Sequence, residues 1–516
     1  MLMPFANEAH VDFSQKGPRS RMLEAIGRVS GQLGQSYPLR IGDRRVETRD
    51  QITSVCPAAY DQVVGRVAKA GVEEAEQAMR AAAEAFPAWS RVDPEVRARI
   101  LVKAAAIMRR RIYELAAWEI LEVSKSWTEA YADVAEAIDF LEFYAREMIR
   151  LGGPQPVVSY VGEENELFYI PLGVTVVVPP WNFPLAITAG MATAAIVTGN
   201  TVVLKPASTA PVIAAKFAEI MAEAGLPDGV LNYLPGAGRA VGDHLVCHPV
   251  TRNIAFTGSM EVGLGIFEKA ARIAPGQIWL KRTVLELGGK DCIVVDETAD
   301  LDAAAEGVAI AAYGFQGQKC SACSRLVAHR DIYDKLLERV VDQAKTLTIG
   351  HTAGPEDFDM GAVIDEAAFR SHNEYIQIGR QEGRAVLGGG RVPDGGWFIP
   401  PTIIADVDRN ARIAQEEIFG PVLAVIKADS FDDALDIANG TRFGLTGGLY
   451  SNDRLRLERA RREFHVGNLY FNRPCTGAMV GGQPFGGFNM SGTDSKAGGS
   501  DYLLLFLQAK SICEEF

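Results

Sequence analysis

Three residue types that enzymes use for carbonyl chemistry stand in short, distinctive motifs of this sequence. Cys320 lies in GQKCSAC, Glu286 begins ELGGK, and Asn182 lies in PPWNFP. A cysteine thiolate is a nucleophile, a carboxylate is a general base, and a side-chain amide can donate a hydrogen bond to a developing oxyanion. These three residues are therefore the candidates for catalysis.

Cys320 and Cys323 also form a C-x-x-C pair, which has other interpretations. A structural zinc site would need a second pair of ligands at suitable spacing, and none is evident in the sequence. A thioredoxin-like redox motif is typical of a shorter chain and an earlier position. An isolated cysteine is most often a small buried apolar residue. We predict no metal site, and the remaining interpretations stay open at this point.

Three segments that follow predicted strands have the composition of a nucleotide-binding edge. Gly236, Gly238 and Gly242 form G-x-G-x-x-x-G, one residue longer than the usual dinucleotide fingerprint. FTGS (256–259) and KPAS (205–208) follow neighbouring strands. Open α/β sheets bind ligands at the carboxyl ends of their strands, so the three segments together favour a cofactor site. No acidic residue follows the glycine motif at the usual distance, which weakens an ordinary Rossmann interpretation.

Alternating strands and helices would position these segments. After residue 170, continuous β-branched runs typical of strands buried on both faces alternate with helical patterns. The predicted strands are 173–178, 201–205, 230–234, 253–256, 293–295 and 422–426, and helices are predicted at 211–224 and near 239–247. This alternation predicts two α/β units with doubly wound parallel sheets. The extended segments 157–170 and 501–512 lie outside it and are predicted to pair in an accessory flap.

The first 150 residues are predicted to serve packing. Between about 72 and 150, apolar residues recur at three- and four-residue spacing, and Asp93-Pro94 supplies an N-cap with a first-turn proline. Residues 1–45 show weak periodicity and are predicted to form an arm around the body of the molecule.

Composition excludes several classes of protein. The chain has 516 residues, of which 48% are hydrophobic and 23% charged, as in a globular protein with a large core. The net charge of −13 argues against a nucleic-acid partner. No run of 18 apolar residues suits a membrane span, and the N-terminus lacks an apolar targeting segment. Seven cysteines, an odd and sparse number, favour a reducing compartment and a cytoplasmic location.

Taken together, the motifs resemble those of the aldehyde dehydrogenase superfamily, in order and in spacing. They are PWNFP (180–184), KPAS (205–208), FTGS (256–259), ELGGK (286–290), GQKCS (317–321), EEIFGP (416–421) and PFGGFNMSG (484–492). The resemblance spans at least residues 170–515. Segments 314–325, 462–473 and 475–503 are most similar to a branch that oxidises L-glutamate γ-semialdehyde to L-glutamate, the second step of proline degradation.

The resemblance implies an aldehyde dehydrogenase-like fold with two doubly wound α/β domains and a small β flap. It divides the chain into a dinucleotide-binding domain (1–155 and 171–285), a catalytic domain (286–487) and an oligomerisation flap (156–170 and 488–516). A homodimer or a higher homo-oligomer is therefore expected.

Roles for individual residues also follow from the resemblance. Cys320 is the implied nucleophile, Asn182 and the backbone N–H of Cys320 hold the oxyanion, and Glu286 activates the water that cleaves a thioester. NAD is the implied cofactor. NADP is a weaker alternative, because Ser208 stands where many relatives have a glutamate that repels a 2′-phosphate. The implied cofactor-binding residues are Pro180, Trp181, Lys205, Ser208, Gly238, Gly242, Phe256, Gly258, Ser259, Leu287, Glu417 and Phe419.

The implied substrate is a small amino acid semialdehyde. Ser321 and two backbone N–H groups would bind its carboxylate, Lys319 would add charge, and two phenylalanines would enclose the aliphatic stem. The implied substrate-binding residues are Phe183, Lys319, Ser321, Gly477, Ala478 and Phe485.

Other functions remain open at this stage. Another small ω-semialdehyde, such as succinate semialdehyde, is an alternative substrate. A coenzyme A-acylating relative would pass the thioester to a thiol and would not need Glu286, and a non-catalytic scaffold would not need Cys320. Functional coupling to a proline oxidase is a further expectation.

Overall fold

The computed structural model describes residues 2–516 and places most strands in two seven-stranded sheets. The helices are α1 Lys16–Ser30, α2 Val72–Trp89, α3 Pro94–Arg110, α4 Ile112–Val123, α5 Trp127–Leu151, α6 Ala186–Val197, α7 Pro211–Glu223, α8 Asp243–Cys247, α9 Met260–Ala270, α10 Leu301–Tyr313, α11 Tyr333–Thr346, α12 Glu366–Glu382, α13 Arg412–Gln415, α14 Phe431–Asn439 and α15 Arg454–Glu463. In this part of the chain, no helix has the length and apolar character needed to cross a membrane.

The strands follow in the same chain order. They are β1 Gln35–Tyr37, β2 Leu39–Ile41, β3 Arg44–Val46, β4 Gln51–Cys56, β5 Ala59–Ala68, β6 Glu163–Pro171, β7 Val174–Val178, β8 Thr201–Leu204, β9 Leu231–Tyr233, β10 Thr251–Thr257, β11 Arg282–Glu286, β12 Cys292–Val295, β13 Arg325–His329, β14 Arg384–Leu387, β15 Thr402–Ala405, β16 Val422–Ala428, β17 Phe443–Gly444, β18 Thr446–Tyr450, β19 Asn468–Phe471, β20 Phe488–Asn489 and β21 Leu507–Glu515.

The first large sheet has the order β11-β10-β7-β8-β9-β2-β3. Its strands from β11 to β9 are parallel, and β2 and β3 continue it antiparallel. Alternate residues face different cores: Val177 and Leu204 pack into one cluster, whereas Val176 and Val203 pack into another. Both faces are therefore covered, which confirms the predicted doubly wound arrangement.

The second large sheet has the order β14-β15-β16-β13-β12-β18-β19. Only β14 runs antiparallel to its neighbour. Val295 and Val425 face one core, and Val294 and Val327 face another. The predicted second α/β unit is confirmed.

Each strand predicted after residue 170 is present, with ends within two residues of the prediction. The predicted helix at 211–224 is α7. The glycine motif differs in detail from the expected strand–helix turn. Its last five residues, Gly238–Gly242, form a single π-helical turn that runs directly into the short helix α8. The backbone here is therefore wider than in an ordinary α-helix.

The N-terminal part is more ordered than the predicted arm. Residues 16–30 form helix α1, which buries Met22, Ala25, Ile26 and Val29 against the core. Strands β1 to β3 also lie within the first 46 residues, whereas residues 2–15 form a segment without helix or strand that contacts Asp139 and Arg146 of α5, as in the predicted arm. The predicted helical region from 72 onward is confirmed by α2 to α5.

The predicted flap is a two-stranded antiparallel ribbon. Strand β6 pairs with β21 through nine residues of each strand, from Leu507 opposite Pro171 to Glu515 opposite Glu163. The pairing is confirmed, with bounds shifted because residues Tyr502–Phe506 form a 3-10 turn before β21 begins.

Candidate active site

A large cavity opens at the carboxyl ends of the parallel strands in the first sheet. Its volume is about 710 Å³, and it lies beside the ends of β7, β8 and β10 and the start of α9. This is the edge at which open α/β sheets bind nucleotides. The predicted cofactor-binding residues that line it are Pro180, Trp181, Lys205, Gly238, Gly242, Phe256, Gly258, Ser259, Leu287, Glu417 and Phe419.

Ser208 is the exception among the predicted cofactor-binding residues. It is exposed and lies outside the lining of this cavity, to which Ala207 contributes instead. The rest of the cavity suits a dinucleotide: Gly238 has open space where a Cβ would be, and Ser259 caps the first turn of α9. An unobstructed helix start next to glycine backbone is a favourable place for phosphate.

Two charged side chains at this cavity have few partners of their own. Lys205 is buried, and burial lowers the pKa of its ammonium to about 8. One oxygen of Glu417 accepts a hydrogen bond of 2.9 Å from the N–H of Gly289, and burial raises the pKa of this carboxyl to about 7. A side chain at Gly288 would displace the Glu417 carboxylate, so glycine there leaves that carboxylate in place. Both groups are available to bind ribose hydroxyls.

A second, smaller cavity lies on the other side of Cys320. Its volume is about 190 Å³, and Cys320, Thr257 and Leu287 line both cavities. All six predicted substrate-binding residues line the second one, namely Phe183, Lys319, Ser321, Gly477, Ala478 and Phe485. The Cys320 thiol is thus reached from the larger cavity and from a separate, narrower pocket.

The backbone before Cys320 turns sharply after α10. Phe315, Gln316 and Gly317 all have positive φ, of 50°, 56° and 69°. A Cβ at Gly317 would lie 2.5 Å from the carbonyl oxygen of Gly420, so only glycine fits. Burial raises the pKa of the Cys320 thiol well above its usual range, with nearby carboxylates adding to the effect. The resting residue is therefore a thiol, and its attack on a carbonyl must be accompanied by loss of the proton.

Asn182 is buried at the end of the loop that follows β7. Its Nδ2 donates a hydrogen bond of 3.1 Å to the carbonyl of Gln318, two residues before Cys320. This bond fixes the amide next to the cysteine loop and leaves the second N–H of Nδ2 free to donate. The arrangement is suited to holding an oxyanion on the carbon that Cys320 attacks.

Glu286 ends β11 and lines the second cavity together with Cys320. Its Oε1 accepts a hydrogen bond from the hydroxyl of Ser495, whereas Oε2 is buried and has no hydrogen-bond partner. Burial raises the pKa of this carboxyl to about 8, against the lowering effects of Ser495 and Lys496. A carboxyl with a pKa near neutrality and a free oxygen can take a proton from water.

Lys319 does not have the free charge that the sequence predicted. Its Nζ lies 2.5 Å from Oε1 of Glu129, a residue of α5. The lysine holds the pKa of Glu129 below its usual range despite burial. The charge of Lys319 is therefore balanced by Glu129, which limits the charge that this lysine was expected to add for a substrate carboxylate.

The sequence analysis missed three acidic residues of the second cavity. Glu129, Glu136 and Asp139 of α5 all line it, and burial raises the pKa of Glu136 to about 8. With Ala132 they occupy positions i, i+3, i+7 and i+10, which is one face of a helix. The helical spacing of these three acidic residues was the available signal.

One group of possible metal ligands lies elsewhere in residues 2–516. The side chains of Glu76, His244 and His248 meet with ligand atoms within 4.8 Å of one another. The N–H of Val250 donates to Nδ1 of His248, so neutral His248 carries its proton on Nε2, which faces Glu76 at 3.1 Å. This geometry favours a hydrogen bond between helices α2 and α8 over metal coordination.

The chain is similar to known proteins along its whole length. The family model described as "Aldehyde dehydrogenase family" matches residues 45–512. A 1-pyrroline-5-carboxylate dehydrogenase of Geobacillus thermodenitrificans is 59% identical over 516 residues, covering 100% of both chains. A protein of the same name from Geobacillus kaustophilus is 58% identical over the same length.

Solved structures are also similar to this chain over nearly its whole length. A 1-pyrroline-5-carboxylate dehydrogenase from Thermus with bound NAD superposes with a TM-score of 0.98 at 54% identity, covering 100% of both chains. Proline utilization A from Bdellovibrio bacteriovorus has a TM-score of 0.98 at 45% identity, covering 99% of this chain and 53% of the larger protein.

Proposed function

The chain belongs to the aldehyde dehydrogenase family, and from that premise we propose that it oxidises L-glutamate γ-semialdehyde to L-glutamate. The semialdehyde is in equilibrium with cyclic 1-pyrroline-5-carboxylate, which appears in the names of the similar proteins. The observation that carries the proposal is the position of Cys320 between a nucleotide-sized cavity and a small pocket with polar ends.

The catalytic residues have complementary tasks in this proposal. The Cys320 thiol gives its proton to water and Sγ forms a bond to the aldehyde carbon, while Asn182 Nδ2–H and the Cys320 backbone N–H bind the resulting oxyanion. When bound in the larger cavity, NAD⁺ supplies the hydride acceptor. Glu286 then takes a proton from water, the water oxygen attacks the thioester carbon, and the carbon–sulfur bond breaks to release glutamate and the thiol. Loss of one oxyanion donor typically lowers the rate about 10²–10³-fold.

The smaller cavity supports an amino acid semialdehyde as the substrate. The Ser321 hydroxyl and the N–H groups of Gly477 and Ala478 suit a carboxylate, and the rings of Phe183 and Phe485 enclose a short aliphatic stem. Glu129 on the acidic face of α5 is paired with Lys319, so Glu136 and Asp139 are the carboxyl groups that suit an ammonium group.

Succinate semialdehyde fits this cavity less well. It has a carboxylate but no ammonium group, so it would meet the α5 acidic face without a compensating charge. A coenzyme A-acylating reaction is also disfavoured, because Glu286 is placed beside Cys320 with one oxygen free to activate water.

We also propose NAD⁺ over NADP⁺ as the hydride acceptor. Lys205 and Glu417 lie where they can bind the two riboses, and Phe419 packs edge-on against Trp181 with ring centres 5.6 Å apart beside the same cavity. Exposed Ser208 offers no carboxylate to repel a 2′-phosphate, so use of NADP⁺ as a weaker second cofactor is expected. A kcat/KM ratio in favour of NADP⁺ would overturn this preference.

The larger organisation of the chain is part of the proposal. Residues 1–155 and 171–285 would form the dinucleotide-binding domain, 286–487 the catalytic domain, and 156–170 with 488–516 an oligomerisation flap. We expect a homodimer or higher homo-oligomer in the cytoplasm. The similarity to proline utilization A favours functional coupling to a proline oxidase.

A mass measurement on stalled enzyme tests the reaction directly. Wild type should reduce NAD⁺ with racemic pyrroline-5-carboxylate, and Cys320→Ala should abolish this reduction because no thiohemiacetal can form. Glu286→Gln should transfer hydride once and then accumulate an acyl adduct on Cys320, visible by mass spectrometry after rapid denaturation.

The matched control is Cys323→Ala, which removes the other cysteine of the same motif and should leave turnover intact. An unmodified Cys320 in the stalled Glu286→Gln enzyme would contradict the proposed mechanism. Faster wild-type turnover of succinate semialdehyde than of glutamate semialdehyde would instead contradict the substrate.

A further inference from the structure

Through its side chain, Arg473 binds the backbone of a turn that lines the second cavity. It follows strand β19, and its Nη2 donates hydrogen bonds to the carbonyls of Thr476, at 2.7 Å, and of Gly477, at 3.0 Å. These carbonyls belong to the peptide groups whose nitrogens are those of Gly477 and Ala478. The guanidinium therefore contacts the two peptide groups whose N–H groups are proposed to bind the substrate carboxylate.

The geometry directs these two N–H groups away from Arg473. Residues 2–516 contain no cis peptide bond, so the N–H of each peptide points opposite to its carbonyl. Gly477 adopts a φ of +75°, which forms the turn, and both Gly477 and Ala478 line the second cavity. Within the described chain, neither N–H donates a hydrogen bond to another residue. Two adjacent free N–H groups are suited to binding an anion.

The charge of Arg473 is not neutralised by a carboxylate. No acidic oxygen of residues 2–516 lies within ion-pair distance of it, and its guanidinium stacks on the ring of Tyr470 at 4.6 Å. Lys319, a cation that lines the cavity itself, is paired with Glu129. A cation bound to a carbonyl polarises the peptide and strengthens its N–H as a donor, so the charge of Arg473 acts on the cavity through the two peptide groups.

We propose that Arg473 is a positioning residue that sets the affinity of the second cavity for a carboxylate. It acts by holding and polarising the peptide groups of Gly477 and Ala478, without touching the substrate itself. This inference rests on the proposed function, because it concerns how the same cavity recognises the carboxylate of the semialdehyde. The positive charge of Arg473 thereby favours anion binding in the cavity, although the groups that would touch the anion there are the neutral N–H groups of Gly477 and Ala478.

The test compares a charged substrate with an uncharged one in the full-length enzyme. Arg473→Met should raise the KM for glutamate semialdehyde about tenfold or more, since hydrogen bonds to a charged group are at stake. Its kcat with propanal, and its KM for propanal, should stay within about twofold of wild type. Arg473→Lys keeps a cation that can reach both carbonyls, and should recover most of the lost affinity.

Arg461→Met is the matched control. Arg461 also stacks on an aromatic ring of β19, that of Phe471 at 5.1 Å, but makes no hydrogen bond to the turn. It should leave both KM values unchanged. Inhibition by L-glutamate provides a second measurement, and its Ki should rise in parallel with the KM in Arg473→Met.

The possible outcomes distinguish the inference about Arg473 from the proposed function. Equal changes of KM for propanal and for glutamate semialdehyde in Arg473→Met would overturn the inference and leave a merely structural role. An unchanged KM for glutamate semialdehyde would overturn it as well. Failure of wild type to prefer glutamate semialdehyde over propanal would overturn the proposed function, and this inference with it, before any variant is considered.

Discussion

The carboxyl of Glu286 combines burial with a single side-chain hydrogen bond. Ser495 donates to Oε1, the other oxygen is free, and burial raises the pKa to about 8. Gly486 leaves room for this carboxylate, because a Cβ there would lie 2.9 Å from Oε1. A base must be deprotonated to act, so thioester hydrolysis should become faster as pH rises through about 8.

Ser495→Ala should move this pH dependence upward. The Ser495 hydroxyl favours the ionised carboxylate, so its loss should raise the pKa of Glu286 by on the order of one unit. Turnover near pH 7 should fall, while turnover at high pH should approach that of wild type. A pH profile of kcat measures this, and an unchanged profile would show that Ser495 does not hold the base.

At the scale of elements, a buried lysine connects the helices behind the active site. Lys125 lies between α4 and α5, forms ion pairs with Glu119, at 3.2 Å, and with Asp133, and its Nζ lies 4.2 Å from the ring centre of Phe183. Asp133 also accepts a 2.7 Å hydrogen bond from the N–H of Ala186 at the start of α6. This cluster thus fixes the loop that contains Asn182.

Lys125→Met should destabilise the fold. It removes the only cation of this fully buried cluster and leaves two carboxyl groups without a cationic partner, which typically costs about 3–5 kcal/mol. The midpoint of thermal unfolding measured by calorimetry should fall accordingly. Lys103→Met, a change of an exposed lysine on α3 without an ion pair, should leave the midpoint unchanged. Equal midpoints for the two variants would contradict this role of the cluster.

At the scale of the whole molecule, the exposed β6–β21 ribbon is the feature that bears on assembly with another chain. Residues 509–515 of β21 are exposed, and the ribbon ends near exposed apolar residues that include Val158, Val161, Ile512 and Phe516. A protruding strand with unpaired backbone groups invites pairing with another chain. This supports the proposed homo-oligomer.

Deletion of residues 509–516 tests the role of the ribbon. Only exposed residues are removed, so each subunit should fold and retain its cavities, while the assembly should dissociate. Size-exclusion chromatography with light scattering should then report a smaller mass than for the full chain. Ile512→Asp keeps the strand but adds a charge to its exposed face, and should weaken the assembly in the same direction. An unchanged mass for the deletion would exclude the ribbon as the principal contact.

Local patterns predicted the sheets better than the N-terminal part. The strands around Val176 and Val294 were predictable because both faces are buried, which requires continuous β-branched runs. Helix α1 escaped prediction although its four buried residues have the i, i+3, i+4, i+7 spacing of an amphipathic helix, because this pattern spans only about two turns. Its stability comes from packing on the rest of the chain, and sequence periodicity does not record such packing.

The sequence by itself determined the chemistry available to this protein: a cysteine, a carboxylate and an amide in motifs with glycines where the backbone turns or approaches closely. Only the tertiary structure decided which charges remain free. Lys319 is paired with Glu129, whereas Arg473 binds three backbone carbonyls and no carboxylate. The reason is that electrostatic interactions depend on distance and burial, and residues 190 positions apart in the chain become neighbours only in the fold.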